Sequence, residues 1–302
     1  MKKKSLLATA AALSLSLVFT GCGVSVPGGE ETTTTTAAQA DDTTAKAEDT
    51  TTAAAATSTG ELSGTITMNG STSMEKVIKA LNGAFMAEHP GVTIELNLTG
   101  SGTGIQEAME GKCDIGNSSR ALKDEETGLT PTIIGIDGIA IIVNNENKVT
   151  DISLENLEKV YAGEITNWSE LGGDDKPIVV IGREDGSGTR DGFEGIVMKN
   201  SEAKYAQELE STGSVISAVE TTAGAIGYAS LANVDDTVRA LSINGVVPSA
   251  DTIKDKTYAI QRPFICAVKS DSTNELVKAY LEFALSEKGQ EQVKNSGAFP
   301  IN

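Results

Sequence analysis

The stretch GREDGSGT, residues 182–189, combines residue types that suit the binding of an anion. Arg183 carries a planar guanidinium that matches two oxygens of a tetrahedral oxyanion, and Asp185 is close enough in sequence to hold that guanidinium in place. Hydroxyl donors, and backbone that a ligand can approach closely, come from four further residues: Gly186, Ser187, Gly188 and Thr189. The stretch predicts an oxyanion site, although an ordinary turn before a capped helix fits the same residues.

A strand and a helix are predicted on the two sides of this stretch. Ile178–Ile181 is a short apolar run of β-branched residues, which is typical of a buried strand. Arg190–Met198 carries apolar residues at helical spacing. The N-terminus of a helix presents unpaired N–H groups and the positive end of the helix dipole, so an anion in this turn would be stabilised.

The same order of strand, Gly/Ser/Thr-rich turn and helix occurs twice earlier in the chain. Predicted strands at 65–68 and 92–98 each lead through such a turn into a helix, and a third strand, 113–116, ends in another hydroxyl-rich loop. In open α/β sheets, ligands collect beyond the carboxyl ends of the strands, so these loops predict one shared cleft. The hydroxyl-bearing candidates in these loops are Ser71, Thr72, Ser73, Ser101 and Ser119.

The first of these turns also has two other interpretations. Thr72 and Glu75 fit a capping box, which is a sufficient structural reason for both residues. Ser73 and Lys76 fit the S-x-x-K pattern of serine acyl-transferases. The companion motifs of those enzymes are missing from the sequence, and the single histidine, His89, precedes a proline at a predicted helix end. A binding protein is therefore predicted rather than an enzyme.

The first 60 residues are predicted to lie outside the fold. Three lysines followed by the apolar run Leu6–Phe19 are typical of a signal peptide, here residues 1–21, and Gly21-Cys22 resembles a bacterial lipobox in which Cys22 is lipidated. Residues 22–60 form a Thr/Ala-rich tract that cannot bury enough apolar surface to fold, so a disordered tether is predicted. The alternative is a soluble secreted protein whose signal peptide is cleaved near this site.

The charge of the chain excludes some classes of ligand. The formal net charge is −18, which disfavours nucleic-acid binding because that function needs a basic face. An anion would have to be held by local dipoles and a few aimed cations. Cys113 and Cys266 lie in apolar contexts and are predicted to be separate buried thiols, with a disulfide as the alternative. No metal-ligand spacing is present and no cofactor is predicted.

Seven motifs in order give the chain a family resemblance. Together they resemble the phosphate-binding lipoproteins of phosphate ABC importers, the PstS type, over roughly residues 63–302. The motifs are GSTSM (70–74), GSG (100–102), DIGNSSR (114–120), GIDGIA (135–140), GEITNW (163–168), REDGSGT (183–189) and GAIGY (224–228).

The resemblance implies a two-lobed α/β solute-binding fold of type II that closes on phosphate. Residues 61–143 plus 260–302 would form the first lobe and residues 144–259 the second. It also implies a monomer outside the cytoplasm, anchored to the membrane through lipid and delivering phosphate to the permease subunits of the importer. A receptor for another tetrahedral oxyanion such as sulfate, or a sensor, stays open as an alternative.

Ser119 departs from part of this family. An aspartate stands at this position in other members, where it accepts the proton that phosphate keeps near neutral pH and that sulfate lacks. A hydroxyl accepts but also donates, so discrimination would be weaker unless another carboxylate, Asp137 or Asp185, reaches the anion. Arg120 is predicted to support the site by pairing with a nearby acid rather than by touching the ligand.

Hydrophobic periodicity predicts the remaining elements. The periodicity predicts two β-like runs, 133–136 and 138–143, and a strand at 258–268. The family resemblance implies that the first two carry the chain from one lobe to the other and that the third returns it. Helices are predicted at 153–161 and 214–220, and a single terminal helix at 274–293. The alternation of strands and helices predicts the α/β class.

Overall fold

A computed structural model describes residues 61–301 of the chain. The predicted signal peptide, the lipidation site Cys22 and the tether lie outside the described residues. Within residues 61–301, no helix combines the length and the apolar character that crossing a membrane requires.

The first part of the chain alternates strands and helices as the periodicity predicts. A short 3₁₀ turn at Thr72–Met74 follows the first strand and precedes the first helix. The elements are β1 (Ser63–Gly70), α1 (Glu75–Glu88), β2 (Gly91–Leu98), α2 (Ser101–Glu110), β3 (Ile115–Ser118) and β4 (Leu129–Asn144).

The second part contains more and shorter elements. They are β5 (Asp151–Ile152), α3 (Leu154–Tyr161), β6 (Val179–Arg183), α4 (Gly188–Val197), β7 (Gln207–Leu209), α5 (Thr212–Thr221), β8 (Ala225–Ser230), β9 (Val238–Ala240), β10 (Ser242–Ile243), α6 (Ala250–Lys254), β11 (Gln261–Lys269), α7 (Glu275–Leu285) and α8 (Glu287–Asn295).

One mixed sheet runs through the described part of the protein, in the strand order β2-β1-β3-β11-β4-β8-β6-β7, and β9 also pairs with β4. Strand β1 is parallel to both β2 and β3, and β6 is parallel to β7 and β8. The turns that follow β1, β2 and β3 therefore leave the sheet at one edge, where their polar residues can meet.

Strand β4 joins the two halves of this sheet. Its residues 129–138 pair with β11, whereas residues 139–143 pair with β8. The two runs predicted at 133–136 and 138–143 are thus one continuous strand, because Asp137 and Gly138 stay in register with Arg262 and Gln261. The strand predicted from Tyr258 begins at Gln261.

Buried side chains form two main groups along the sheet. The first packs α1, α7 and α8 against β1 and includes Leu81, Phe85 and Tyr280. The second packs α3 and α4 against β4 and β8 and includes Tyr161 and Phe193. The lobe boundaries at 143/144 and 259/260 stay a prediction.

Two local predictions are wrong. The terminal helix is interrupted at Ser286, whose extended backbone ends α7 and whose Oγ accepts the N–H of Gly289 at 3.2 Å to cap α8. The Thr72–Glu75 capping box does not form, because residues 72–74 make a 3₁₀ turn and Glu75 pairs with Lys79.

The two cysteines are separate buried thiols, as predicted. Burial raises the pKa of Cys113 to about 11 and that of Cys266 to about 12. Neither thiol is therefore a thiolate near neutral pH.

Close packing of α2 on β1 gives a test of the fold. A methyl group at Gly104 would lie 2.4 Å from the carbonyl oxygen of Asn69, whereas one at Gly83 in α1 would meet nothing within 4 Å. We expect Gly104→Ala to lower the free energy of unfolding by about 1–3 kcal/mol. Gly83→Ala, the matched control, should leave it unchanged or raise it by up to about 1 kcal/mol through helix propensity. Urea unfolding of both variants measures the difference, and equal stabilities would contradict the packing.

Candidate functional site

Hydroxyl groups from separate turns meet at one place in the structure. Ser71 donates to the Oγ of Ser119 at 2.8 Å, and Ser101 Oγ lies 3.3 Å from the same atom. Ser73 Oγ lies 2.6 Å from Thr189 Oγ1. These five residues are all buried, although each carries a polar group. The structure thus brings together residues that the sequence distributes over four loops.

Parallel pairing explains the convergence of the first loops. Gly70, at the end of β1, lies opposite Asn117 near the end of β3, so Ser71 and Ser119 follow neighbouring strand ends. Gly70 has a φ of +145°, and a methyl group there would lie 2.1 Å from the carbonyl oxygen of Asn117. Only glycine allows this approach of the two backbones.

The loop of residues 184–187 reaches the same place from the other half of the sheet. Gly102 N–H donates to the carbonyl oxygen of Gly186 at 2.9 Å. Ser187 caps α4 by accepting the N–H of Arg190 at 3.3 Å, so its hydroxyl proton stays available to another acceptor. A methyl group at Gly188 would lie 2.2 Å from Ser101 Oγ. The glycine therefore lets the two loops close on each other.

Arg183 is a buried cation at the end of β6, only 2 % exposed. Its Nε donates to the carbonyl oxygen of Leu209 at 2.9 Å and its Nη2 to that of Glu210 at 2.7 Å, while Nη1 lies 3.4 Å from Thr212 Oγ1. Among residues 61–301 no carboxylate forms an ion pair with it. Burial lowers its pKa to about 10, which leaves it charged at neutral pH. A desolvated cation of this kind is a place where an anion is stabilised.

Asp185 does not hold Arg183, contrary to the sequence prediction. Its carboxylate lies 3.1 Å from Nη1 of Arg190, and its side chain is 96 % exposed. Nε and Nη2 of Arg183 already donate to the carbonyl groups of residues 209 and 210. The turn through Gly186, with a φ of +82°, leaves Asp185 on the surface.

The backbone of Arg183 is tied at both polar atoms. Its N–H donates to the hydroxyl of Tyr228 at 3.0 Å, and its carbonyl accepts from Nη1 of Arg190 at 3.0 Å. Tyr228 in turn donates to Tyr205, and Tyr205 donates to Glu194 on α4. Burial raises the pKa of Tyr228 to about 12, so its hydroxyl stays neutral. These contacts fix the backbone of Arg183 and leave the charge of its guanidinium available to an anion.

Arg120 pairs with acids, as predicted. Its Nη2 lies 2.6 Å from Oε1 of Glu126 and its Nε 2.7 Å from Oδ2 of Asp191. Because Glu126 follows β3 and Asp191 lies on α4, the arginine links the two halves of the sheet beside the hydroxyl cluster. Arg120 therefore supports the site by linking the loop after β3 to α4.

Sequence reasoning missed Thr212 and Arg262. Thr212 Oγ1 lies 3.0 Å from Ser73 Oγ and 3.3 Å from Thr72 Oγ1, and the signal for it was a further Ser/Thr/Gly turn before α5. Nη1 of Arg262 donates to Ser119 Oγ at 3.2 Å. The signal for Arg262 was one charged residue inside an apolar strand.

Asp137, considered from sequence as an acceptor for the anion, pairs with Arg262 instead. Nε and Nη2 of Arg262 donate to its Oδ2 at 3.1 and 3.0 Å, and Ser230 donates to its Oδ1 at 2.9 Å. Asp137 is fully buried. Burial raises the pKa of its carboxyl, and the guanidinium of Arg262 opposes that shift. Both carboxylate oxygens are therefore occupied by donors of the protein.

The chain is similar in sequence and in fold to known proteins. Residues 32–288 match the family model described as a PBP superfamily domain. The phosphate-binding protein PstS of Bacillus subtilis is 35 % identical over 245 residues, which cover 79 % of this chain and 81 % of that protein. PstS of Borreliella burgdorferi is 28 % identical over 250 residues, 78 % of this chain and 90 % of its own length.

Solved structures agree with this result. A phosphate ABC transporter substrate-binding protein from Clostridium perfringens, crystallised with bound phosphate, is 40 % identical, with a TM-score of 0.75 over 79 % of this chain and 100 % of that one. An ABC-type phosphate transport receptor from Vibrio cholerae is 32 % identical, with a TM-score of 0.66 over 78 % and 99 %. The predicted α/β solute-binding fold is confirmed. The chain belongs to the PBP superfamily and, within it, to the family of the phosphate-binding protein PstS.

Proposed function

We propose that this chain binds inorganic phosphate outside the cytoplasm and passes it to the membrane subunits of an ABC importer. The observation that carries the proposal is Arg183, a buried cation that has no carboxylate partner among the described residues and lies beside a cluster of hydroxyl donors. The relatives at 35 % and 40 % identity are named for phosphate binding, and one was solved with phosphate bound.

Three helix N-termini support the binding of an anion at this cluster. Helix α2 begins at Ser101, α4 at Gly188 and α5 at Thr212, and each of these first residues contacts the hydroxyl cluster or its glycine loop. The positive ends of three helix dipoles therefore lie at one place. This local field explains how a chain with a net charge of −18 can hold an anion.

The geometry favours binding over catalysis. In the S-x-x-K pattern, Nζ of Lys76 donates to the carbonyl oxygen of Ala232 at 3.2 Å. Ser73 Oγ instead contacts Thr189 and Thr212. A lysine engaged in this way does not activate the serine as a nucleophile. We infer a binding protein without turnover of phosphate esters or β-lactams.

Removal of the Arg183 guanidinium tests the proposal. Hydrogen bonds to charged groups contribute about 1.5–3 kcal/mol each, so Arg183→Ala should weaken phosphate binding about tenfold to a hundredfold or more. Asp185→Asn is the matched control, because the Asp185 side chain is 96 % exposed and should change the affinity by less than about twofold. Calorimetric titration of the purified chain measures both. Equal phosphate affinities for the wild type and Arg183→Ala would contradict the assignment of Arg183 as a phosphate ligand.

Closure of two lobes on the ligand is part of the proposal. Several pairs join the predicted lobes at the site, among them Gly102 with Gly186, Ser73 with Thr189, and Arg120 with Asp191. Binding at such a junction couples ligand contacts to the relative position of the lobes.

Small-angle scattering of the purified chain with and without phosphate tests this closure. We expect a smaller radius of gyration with saturating phosphate, since an anion between the lobes attracts donors from both. Arg183→Ala at the same phosphate concentration should stay in the open form. Identical curves for the wild type with and without phosphate would argue against closure.

We further propose that the protein is a monomer held at the cell membrane by lipid on Cys22. The resemblance of Gly21-Cys22 to a lipobox motivates this proposal. A Cys22→Ser variant should move from the membrane fraction to the soluble fraction when the cells are fractionated, because the thiol that carries the lipid is gone. Its retention in the membrane fraction would rule out Cys22 as the anchor.

A further inference from the structure

The buried pair of Arg262 and Asp137 lies next to the hydroxyl cluster and contacts it through Ser119. The two residues face each other across β11 and β4, and they are 4 % and 0 % exposed. Asp137 receives two N–H groups of Arg262 and the hydroxyl of Ser230. The guanidinium is thus fixed in orientation, and its remaining nitrogen, Nη1, is directed at Ser119 Oγ at 3.2 Å.

Ser119 Oγ accepts from two donors at once. Arg262 can only donate, and Ser71 donates to the same oxygen at 2.8 Å. A hydroxyl has one proton and two lone pairs, so both lone pairs of Ser119 are occupied. Its proton is left to point at Ser101 Oγ, 3.3 Å away, or at an anion. Toward a ligand, Ser119 is therefore a donor.

The carboxylates considered from sequence leave no acceptor for a proton on the ligand. Both oxygens of Asp137 are occupied, and Asp185 is on the surface. Phosphate keeps a proton near neutral pH, whereas sulfate has none. A site that lacks a free carboxylate has no negative charge that repels sulfate, and juxtaposed like charges are what excludes a wrong partner.

We propose that Arg262, oriented by Asp137, makes Ser119 a donor, so that the site selects a doubly charged tetrahedral oxyanion by its charge, and sulfate is a second ligand. Arg262 acts through Ser119 and is thus a positioning residue that determines specificity. The inference rests on the proposed phosphate site.

Calorimetric titration of the purified chain with sodium phosphate and with sodium sulfate tests the inference. We expect sulfate to bind at pH 7 with a dissociation constant within about a hundredfold of that for phosphate. Binding of phosphate without sulfate at a thousandfold higher concentration would overturn this inference and leave the phosphate site intact. Binding of neither anion would overturn the proposed function together with the inference.

A pH series separates ligand charge from protein structure. From pH 6 to 8 the phosphate dianion replaces the monoanion while sulfate does not change, so the affinity for phosphate relative to sulfate should rise several-fold. The charged groups around Ser119 are Arg262, Asp137, Arg183 and Arg120 with its partners Glu126 and Asp191. Sulfate keeps a constant charge over this range, so the change in its own affinity reports any titration of these groups. The single histidine, His89, lies at the end of α1 beside Phe85. A ratio that stays flat would contradict selection by charge.

Two changes at the site provide the direct test. Ser119→Asp introduces a carboxylate acceptor and should lower the affinity for sulfate at least about tenfold more than that for phosphate. Arg262→Gln alone would leave the buried carboxylate of Asp137 without its positive partner. The double variant Asp137→Asn/Arg262→Gln avoids this because it removes both charges. It also removes the N–H of Arg262 that occupies a lone pair of Ser119. It should also raise the phosphate-to-sulfate ratio.

Arg239→Gln is the matched control for the loss of one arginine. Arg239 donates to the carbonyl oxygens of Asn147 and Val149, away from the hydroxyl cluster, so the ratio should not change. Thermal unfolding identifies folded variants, and Ser119→Asp serves as the independent readout if the double variant does not fold. A ratio unchanged in every folded site variant would overturn the role of Arg262.

Discussion

The site depends on a buried guanidinium, that of Arg183, which has no counterion among residues 61–301. Removing a charge from water is expensive, and the usual compensation is a carboxylate within contact distance. Arg183 is instead held by the carbonyl oxygens of Leu209 and Glu210, which fix its orientation and leave its charge uncompensated. The surrounding structure supports this arrangement, since Tyr228 and Arg190 hold the backbone of Arg183 at both polar atoms. In the proposed site, this local deficit of negative charge makes an oxyanion a favourable ligand.

The second buried arginine has the opposite arrangement. Arg262 is paired with Asp137, so its charge is balanced within the protein and one N–H remains to act on Ser119. The two arginines therefore differ in their partners although both are almost fully buried. In the proposed site, Arg183 attracts the anion and Arg262 sets the direction in which Ser119 donates.

Backbone geometry allows the hydroxyl groups to come so close. Gly70 and Gly188 lie where any side chain would overlap with Asn117 or Ser101, and α2, α4 and α5 all begin at the resulting cluster. The dipoles of these helices act over short distances and are therefore effective in a strongly acidic chain. The close approach of the loops and the convergence of the helix dipoles thus depend on the same glycines.

The sequence by itself determined the strand–turn–helix units, because hydrophobic period, glycine and hydroxyl-bearing residues act within a few neighbouring positions. It identified five serine and threonine residues that the structure brings into one cluster, and Arg183 beside that cluster. It misplaced Asp185 and the single terminal helix, since a turn and a helix break depend on which donors and acceptors are already occupied. Only the tertiary structure decided the partners of Arg262, which lies 143 residues from Ser119 and 125 from Asp137. Such contacts follow from the pairing of β4 with β11, and no local pattern encodes that pairing.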